Sequence, residues 1–344
     1  MHISDFDYEL PPELIAQAPL DQRDASRMLV LDRAALAWKD ESFKSFTSYL
    51  RPNDVVVVNN SRVIPARLHG RREESGGQVE IFLVREIEAS VWEALVRPGA
   101  RLRKGARAMF GEGNLIAEML DDPGPGLRRV RFHCEGNFEQ TLALIGSTPL
   151  PPYIKRPAGI SAEDRERYQT VYSKQRGAIA APTAGLHFTP EILAEVARVA
   201  SLAEVTLHVG YGTFEPVRVD EVAQHSVSGE RFEIWEAAAQ TINEARANNG
   251  RVIVVGTTTM RALESAATDD GRVVAGSGVA ELTIKPGYKF KVAGALLTNF
   301  HLPRSSLLIL VSAFAGSELV RDAYRHAVAE RYRFYSYGDC MLIL

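Results

Sequence analysis

Between Gln78 and Glu135 the chain reads VEIFLV (79–84), VWEALV (91–96), RAMF (107–110), LIAEML (115–120) and VRFHC (130–134), with Pro98-Gly99, Gly111-Glu112-Gly113 and Pro123-Gly124-Pro125-Gly126 between runs. Each run is rich in β-branched and aromatic residues, and the glycines and prolines stop it after a few positions. Short strands recurring at this spacing predict a small all-β barrel or sandwich. Outward from this block the hydrophobic period changes. On the C-terminal side a strand over 178–181 leads to Thr189-Pro190-Glu191, an N-cap followed by proline in the first turn, and a helix to about Ala200. A strand over 205–209, a helix over 236–248 stopped by Gly250, a buried strand over 252–255 and a helix over 259–267 follow. Such alternation predicts a layered α/β domain with a mostly parallel sheet. On the N-terminal side Val55-Val56-Val57-Val58 reads as one more buried strand, and nothing before Gly70 makes a complete domain. The β block is therefore read as an insertion: 1–70 together with 150–344 form the α/β domain, and 71–149 form the barrel projecting from it.

Composition narrows the function. The 344 residues are 46% hydrophobic and 24% charged, ordinary for a globular protein, and the net charge of −3 gives no global field for a polyanion. Cys134 and Cys340 lack the spacing of a disulfide framework or a zinc knuckle. The acidic start, Met1-His2-Ile3-Ser4-Asp5, is unlike a secretory leader. The longest apolar run, 307–315, is far short of the ~20 residues that cross a bilayer. A cytoplasmic location without membrane attachment is expected.

No P-loop, HExxH or GxSxG motif occurs, and Gly210-Tyr211-Gly212 lacks the third glycine of a dinucleotide fingerprint. What stands out is four loops at strand ends, where open α/β sheets bind ligands. The first, 181–188, contains Thr183 and His187 among small residues that let a ligand approach the backbone. The second, 207–217, carries His208, Gly212 and Thr213. In the third, Thr257, Thr258 and Thr259 precede Arg261 at the start of a helix, a geometry suited to a carboxylate or phosphate. Asn299, His301 and Arg304 form the fourth, ahead of an apolar helix over 306–315. Each has an ordinary alternative, since one threonine suffices for capping and a lone histidine is more often a core residue.

Nucleic-acid signals are local. Five basic residues and no acid occupy 97–107, among them Arg97, Arg101, Arg103 and Arg107, and Lys155-Arg156 follow Tyr153. Bases beside aromatics suit phosphate pairing and base stacking, although solvated faces share that composition.

Ten stretches taken in order resemble the S-adenosylmethionine:tRNA ribosyltransferase-isomerase family over essentially the whole chain. They are DFDYELPPELIAQ (5–17), RDASR (23–27), NNSRVIPARL (59–68), LPPYI (150–154), RYQTVYS (167–173), AAPTAGLHF (180–188), TLHVGYGTF (206–214), GTTTMRALES (256–265), LLTNFHLP (296–303) and YRFYSYGD (332–339). The resemblance implies an α/β domain carrying an inserted β-barrel. It also implies the reaction: the ribosyl group of S-adenosylmethionine is transferred and isomerised onto the 7-aminomethyl-7-deazaguanine wobble base of tRNA, giving epoxyqueuosine-tRNA, adenine and methionine. Four positions depart from the family pattern. Ser228 replaces the second histidine of HxMHxE, Gly294 an aspartate, Tyr211 a common alanine, and Ser147 stands where a histidine can occur.

That chemistry needs a base for the ribose proton acidified by the sulfonium, an acid for departing adenine and a clamp for the methionine carboxylate. His187, His208 and His301 are the expected proton carriers. Thr183, Gly212, Thr213, Thr257, Thr258, Arg261 and Asn299 are expected on S-adenosylmethionine, with Thr257, Thr258 and Arg261 on its carboxylate. Arg97, Arg101, Arg103, Arg107, Lys155 and Arg156 are expected on tRNA. No metal or resident cofactor is expected, because S-adenosylmethionine is consumed as co-substrate, and the protein is expected to be a monomer. Two rivals are an S-adenosylmethionine-dependent RNA methyltransferase and a non-catalytic tRNA-binding protein. The first predicts a glycine-rich loop after 55–58, where Asn59-Asn60-Ser61 stands instead.

Overall fold

In the computed structural model, which describes residues 1–344 apart from 125, 157–158 and 211–216, the five β runs close into a barrel with a sixth strand. Arg67–Arg72, Gln78–Glu88, Val91–Arg97, Arg107–Phe110, Leu115–Gly124 and Leu127–Cys134 pair antiparallel throughout. Closure removes the exposed edges that an open sheet would leave. Leu68, Ile81, Leu83, Ala94, Ala108, Leu115, Ala117 and Val130 fill the interior without measurable exposure. The sixth strand, RLHGRR, shows no apolar alternation, so periodicity alone passes over it. Its Gly70 is required by closure, because a β-carbon there would collide with the Met109 carbonyl and the Phe110 ring.

The α/β part is built on a nine-stranded sheet in the order Gly276–Ala280, Glu230–Ile234, Ser201–Leu207, Val55–Asn59, Val252–Val255, Ala295–Asn299, Cys340–Ile343, Arg27–Asp32 and Ala37–Ser42. The middle four strands, from Ser201–Leu207 to Ala295–Asn299, are mutually parallel. Antiparallel pairings join both outer strands on one side, and on the other they join Ala295–Asn299 to Cys340–Ile343 and Arg27–Asp32 to Ala37–Ser42. The sheet is therefore mixed: the expected parallel pairing holds through its centre and again between Cys340–Ile343 and Arg27–Asp32, and antiparallel pairings account for the rest. The outer strands escape the βαβ rhythm because they are joined by hairpin-like or long-range returns.

Burial explains the centre. Val55, Val56, Val57 and Val58 are fully buried, flanked by parallel neighbours on both sides and covered on both faces. Fully burying each such side chain contributes about 1.5–3 kcal/mol. On one face Glu236–Ala247 presents Ala238, Ala239, Ile242 and Ala245, and Ser306–Ala315 buries most of its length. Ser305 caps the latter through Leu308 N at 3.2 Å. On the other face Pro190–Val199 packs Ile192 and Val196, capped by Thr189 as expected.

The barrel is fastened to the sheet by two neighbouring connections. Arg67 and Ser147 exchange both backbone hydrogen bonds, and Ser147 Oγ donates to Arg67 O at 3.1 Å. Asn59 and Asn60 lock the strand end beside this junction. Asn59 donates to Leu207 O at 2.9 Å and accepts from Leu207 N at 3.0 Å, while Thr206 Oγ1 donates to Asn60 Oδ1 at 2.7 Å. The two cysteines are free thiols. No described helix is long and apolar enough to cross a membrane.

Candidate active site

Two parallel strands, Val252–Val255 and Ala295–Asn299, end side by side, and the loops beyond them meet the 180–184 loop around a narrow cleft of about 60 Å³. One wall is the N-terminus of the helix Thr257–Ser265. Gly256, at φ 89°, turns the chain from strand into helix in a backbone region that side-chain-bearing residues rarely adopt, and it contributes no side-chain cap. Among the described residues no side chain caps the first-turn amides, and they lie where Thr257 and Thr258 line the cleft. Thr258 Oγ1 is buried with no hydrogen-bond partner among the described residues. Thr259 does not share this role, since its hydroxyl donates back to Val255 O at 2.6 Å. Thr183 and Ala184 border the same space.

The facing wall is aromatic. Tyr153 and Tyr335 meet edge to face at 4.0 Å between ring centres, and Tyr153 shares a hydrogen bond with Ser336. Tyr168 is fully buried beside them, with a hydroxyl that meets no partner in hydrogen-bonding geometry among the described residues. Burial raises the Tyr168 phenol well above its ordinary range, so it is a donor at every working pH. Tyr153, Tyr168, Thr298 and Ser336 were not among the residues expected here. The signal that could have found them is that all four lie within the quoted stretches 150–154, 167–173, 296–303 and 332–339.

The three histidines separate. His301 lines the cleft, its Nε2 in contact with Thr298 Oγ1 at 2.9 Å, its backbone N–H donating to Tyr324 OH at 3.0 Å. Desolvation lowers its pKa to about 3, which keeps the ring neutral. His187 lies under the 183–187 turn, outside the lining. Asn299 Nδ2 donates to Tyr335 O at 2.8 Å, which leaves Oδ1 to accept from His187 Nε2 at 3.3 Å, while His187 Nδ1 meets Ser26 Oγ at 2.8 Å. Both ring nitrogens are spent on the protein, and burial lowers the pKa to about 4. His208 is half-buried beyond the cleft, against Gly177, with Nδ1 unpartnered among the described residues. Its pKa is lowered by burial and by the nearby Arg231 charge.

Arg261 is the main departure from expectation. Its guanidinium points away from the cleft to Glu230 Oε2 at 2.5 Å and to the carbonyls of Ser228, Ala280 and Leu282. Four of its five N–H donors are committed to the protein, which leaves one at most for a substrate carboxylate and rules out a bidentate clamp. Its role is positional, because Glu230 Oε1 also accepts from Gly210 N at 2.9 Å and so joins two strand-end loops. Gly212 and Thr213 lie outside the described residues.

The chain matches the family described as queuosine biosynthesis protein over residues 3–343. It is 51% identical to the S-adenosylmethionine:tRNA ribosyltransferase-isomerase of Pelotomaculum thermopropionicum, with all of both chains covered. Proteins with the same name from Symbiobacterium thermophilum and Desulforamulus reducens are 50% and 49% identical, again over the full length of both. The chain belongs to the queuosine biosynthesis protein family. Among solved structures, the S-adenosylmethionine tRNA ribosyltransferase of Thermotoga maritima aligns with a TM-score of 0.55 and 37% identity, covering 99% of this chain and all of that one.

Within this family the departures noted above have local explanations. Ser228 serves through its carbonyl, which accepts from Arg261 at 3.1 Å. Gly294 gives its carbonyl to Arg33 at 2.7 Å, and a β-carbon there would press on Arg251 at 3.2 Å. Ser147 is part of the clasp between barrel and sheet. Tyr211 lies outside the described residues.

The basic residues divide as well. Arg97, Arg101 and Arg103 are exposed and have no acidic partner among the described residues, whereas Arg107 pairs with Glu73 at 3.1 Å. Lys155 is exposed. Arg156 is committed to the fold: it grips the buried Asp164 through Nε and Nη2 at 2.8–3.0 Å and donates to Gln17 O at 2.9 Å. That pairing, with the Ser161 cap, pulls the Asp164 carboxyl below its usual range against the cost of burial.

Proposed function

We propose that the protein is an S-adenosylmethionine:tRNA ribosyltransferase-isomerase, acting on the 7-aminomethyl-7-deazaguanine base and releasing adenine and methionine. The observation that carries this reading is full-length identity near 50% to proteins so named, together with a cleft whose uncapped helix N-terminus and free Thr258 hydroxyl suit an anionic group. In this reading the α/β part, 1–70 with 150–344, holds the reacting groups, and the barrel, 71–149, extends the surface available to RNA. S-adenosylmethionine lies with its methionine carboxylate at the amides of Thr257 and Thr258, without help from Arg261. Its adenine and ribose face Tyr153, Tyr168 and Tyr335, which donate hydrogen bonds and exclude water.

The reaction removes a proton from the carbon next to the sulfonium and expels adenine as the glycosidic C–N bond breaks; the neutral amine of the base then attacks and gives up a proton, and a ribose oxygen closes the epoxide as the C–S bond breaks and methionine leaves. His301 is the neutral imidazole on the cleft wall and is proposed to accept the proton from the carbon next to the sulfonium, its position held by Thr298 and Tyr324. His208 lies beyond the cleft and is proposed to exchange protons with adenine only after adenine has left the tyrosine wall. His187 holds Asn299 in place and carries no proton in the reaction. The protein is proposed to work as a monomer in the cytoplasm, with S-adenosylmethionine as its consumed co-substrate and no resident cofactor.

Adenine release from S-adenosylmethionine in the presence of the substrate tRNA tests the reading. Methyl transfer to RNA without adenine release would identify a methyltransferase, and binding with neither would identify a non-catalytic protein. His301→Gln should abolish adenine release, while a variant as active as wild type would move the base elsewhere.

A further inference from the structure

A second cavity of about 620 Å³ lies between the barrel and the 147–156 segment that leaves it, with Tyr153 of that segment turned instead to the cleft. Phe82 and Leu95 of the barrel face a ledge of Pro149, Pro152 and Ile154, while Arg67 and Arg97 stand at its rim. Two guanidiniums face one carboxylate, Glu80, which lies opposite Arg97 in the strand register and 3.9 Å from Arg67. Arg67 Nε is buried without a hydrogen-bond partner among the described residues, and its guanidinium lies 5.6 Å from the Phe82 ring centre. An unpaired cationic N–H at the edge of an apolar slot is costly unless something anionic or polar visits it.

We propose that this slot receives a nucleotide of the substrate RNA adjacent to the one modified in the cleft. The inference rests on the tRNA reading above. An unstacked base fits between an aromatic side and a proline ledge, and its phosphate pairs with Arg67 and Arg97. The two sites are joined by one thin wall, since Tyr153 lines the cleft and its neighbours Pro152 and Ile154 line the slot. A strand entering the cleft therefore leaves its next nucleotide at the slot. The Arg67–Ser147 clasp sets the width of this slot, because both residues line it.

The test is the affinity of an RNA stem-loop bearing the substrate base, measured by fluorescence anisotropy at fixed salt, against stem-loops with an abasic residue on the 5′ or 3′ side of that base. One abasic RNA should bind about tenfold more weakly to the wild-type protein, the scale of one stacked base. Phe82→Leu should weaken the intact RNA yet weaken that abasic RNA less than twofold further, because the contact it removes is to the missing base. Arg97→Gln, at an exposed position, should weaken both RNAs alike and lower the salt dependence of each, since an abasic residue keeps its phosphate. Equal affinity of the wild-type protein for all three RNAs, or effects of Phe82→Leu and the abasic site that multiply in full, would overturn the proposal. Tight binding without adenine release would refute the reaction while leaving the slot intact, and no binding of the intact stem-loop would refute both.

Discussion

Thr258→Val separates the ligand role of the cleft from a structural one, because the two make opposite demands on the same hydroxyl. Thr258 Oγ1 is buried and has no partner among the described residues, so the ligand-free protein bears its desolvation, about 1–3 kcal/mol for an unpaired hydroxyl. Valine keeps the shape and removes that cost. The ligand-free variant should be more stable by about 1 kcal/mol, which for a chain of this size raises Tm by roughly 1–2 °C. With S-adenosylmethionine bound, the same hydroxyl would donate to a carboxylate, a charge-assisted contact of about 1.5–3 kcal/mol. At 1.4 kcal/mol per decade, KM for S-adenosylmethionine should rise about 10- to 100-fold. The contact is far from the reacting carbon and equally present before and during reaction, so kcat should change little. Calorimetry without ligand and steady-state adenine release on one preparation give both numbers, and Thr258→Ser should keep KM near wild type. A variant that melts lower than wild type with an unchanged KM would show that the hydroxyl serves the fold, and the carboxylate assignment would fall.

Arg261→Ala should cost about 3–5 kcal/mol of stability by removing the cationic partner of the buried Glu230; an unaltered denaturant midpoint with a raised KM would return Arg261 to the ligand. His187 and His301 are held neutral with pKa values of about 4 and about 3, against 6.5 when unfolded. The unfolded chain binds more protons below pH 6.5, so stability should fall on acidification from 6.5 towards 4, by up to about 1.4 kcal/mol per pH unit for each histidine. His187→Gln should flatten that slope in urea melts by up to one proton, and an unchanged slope would show a protonated ring. Neutralising Arg97 and Arg101 together should reduce the salt dependence of tRNA binding by about two units of slope. Arg156→Ala should instead lower Tm by freeing the buried Asp164, and if it changes only the salt slope its structural assignment is wrong.

What the sequence disclosed and what it hid follow one physical distinction. Five barrel strands and the helices at 190, 236 and 306 announce themselves through period and capping, which are local properties of a few residues. Arg67–Arg72 does not, because its partners and Gly70 supply the reason for it to be a strand. The same holds at the site. Thr257 and Thr258 were legible as a helix start beside a strand end. Arg261 was misread for the same reason, since four residues along the helix turns a side chain back toward one face but does not say which acid lies there. Glu230 is 31 residues upstream, and only the antiparallel pairing of Glu230–Ile234 with Gly276–Ala280 brings it to Arg261. Tyr168 and Ser336 come from segments 168 residues apart, and no local pattern links them.

The strand order also dictates a timetable for synthesis. Val55–Asn59 lies between Ser201–Leu207 and Val252–Val255, and Arg27–Asp32 lies against Cys340–Ile343. Arg27–Asp32 can pair at once with Ala37–Ser42, but its other edge and both edges of Val55–Asn59 must wait for partners encoded well over a hundred residues later, whereas the barrel pairs only strands within Arg67–Cys134. On the ribosome the barrel can close while four exposed valines upstream remain without a neighbour, and long-range pairing of this kind is slow. A nascent chain halted near residue 150 would therefore carry a finished module and a sticky N-terminal tail, and the demand for chaperones should peak during synthesis of the second half.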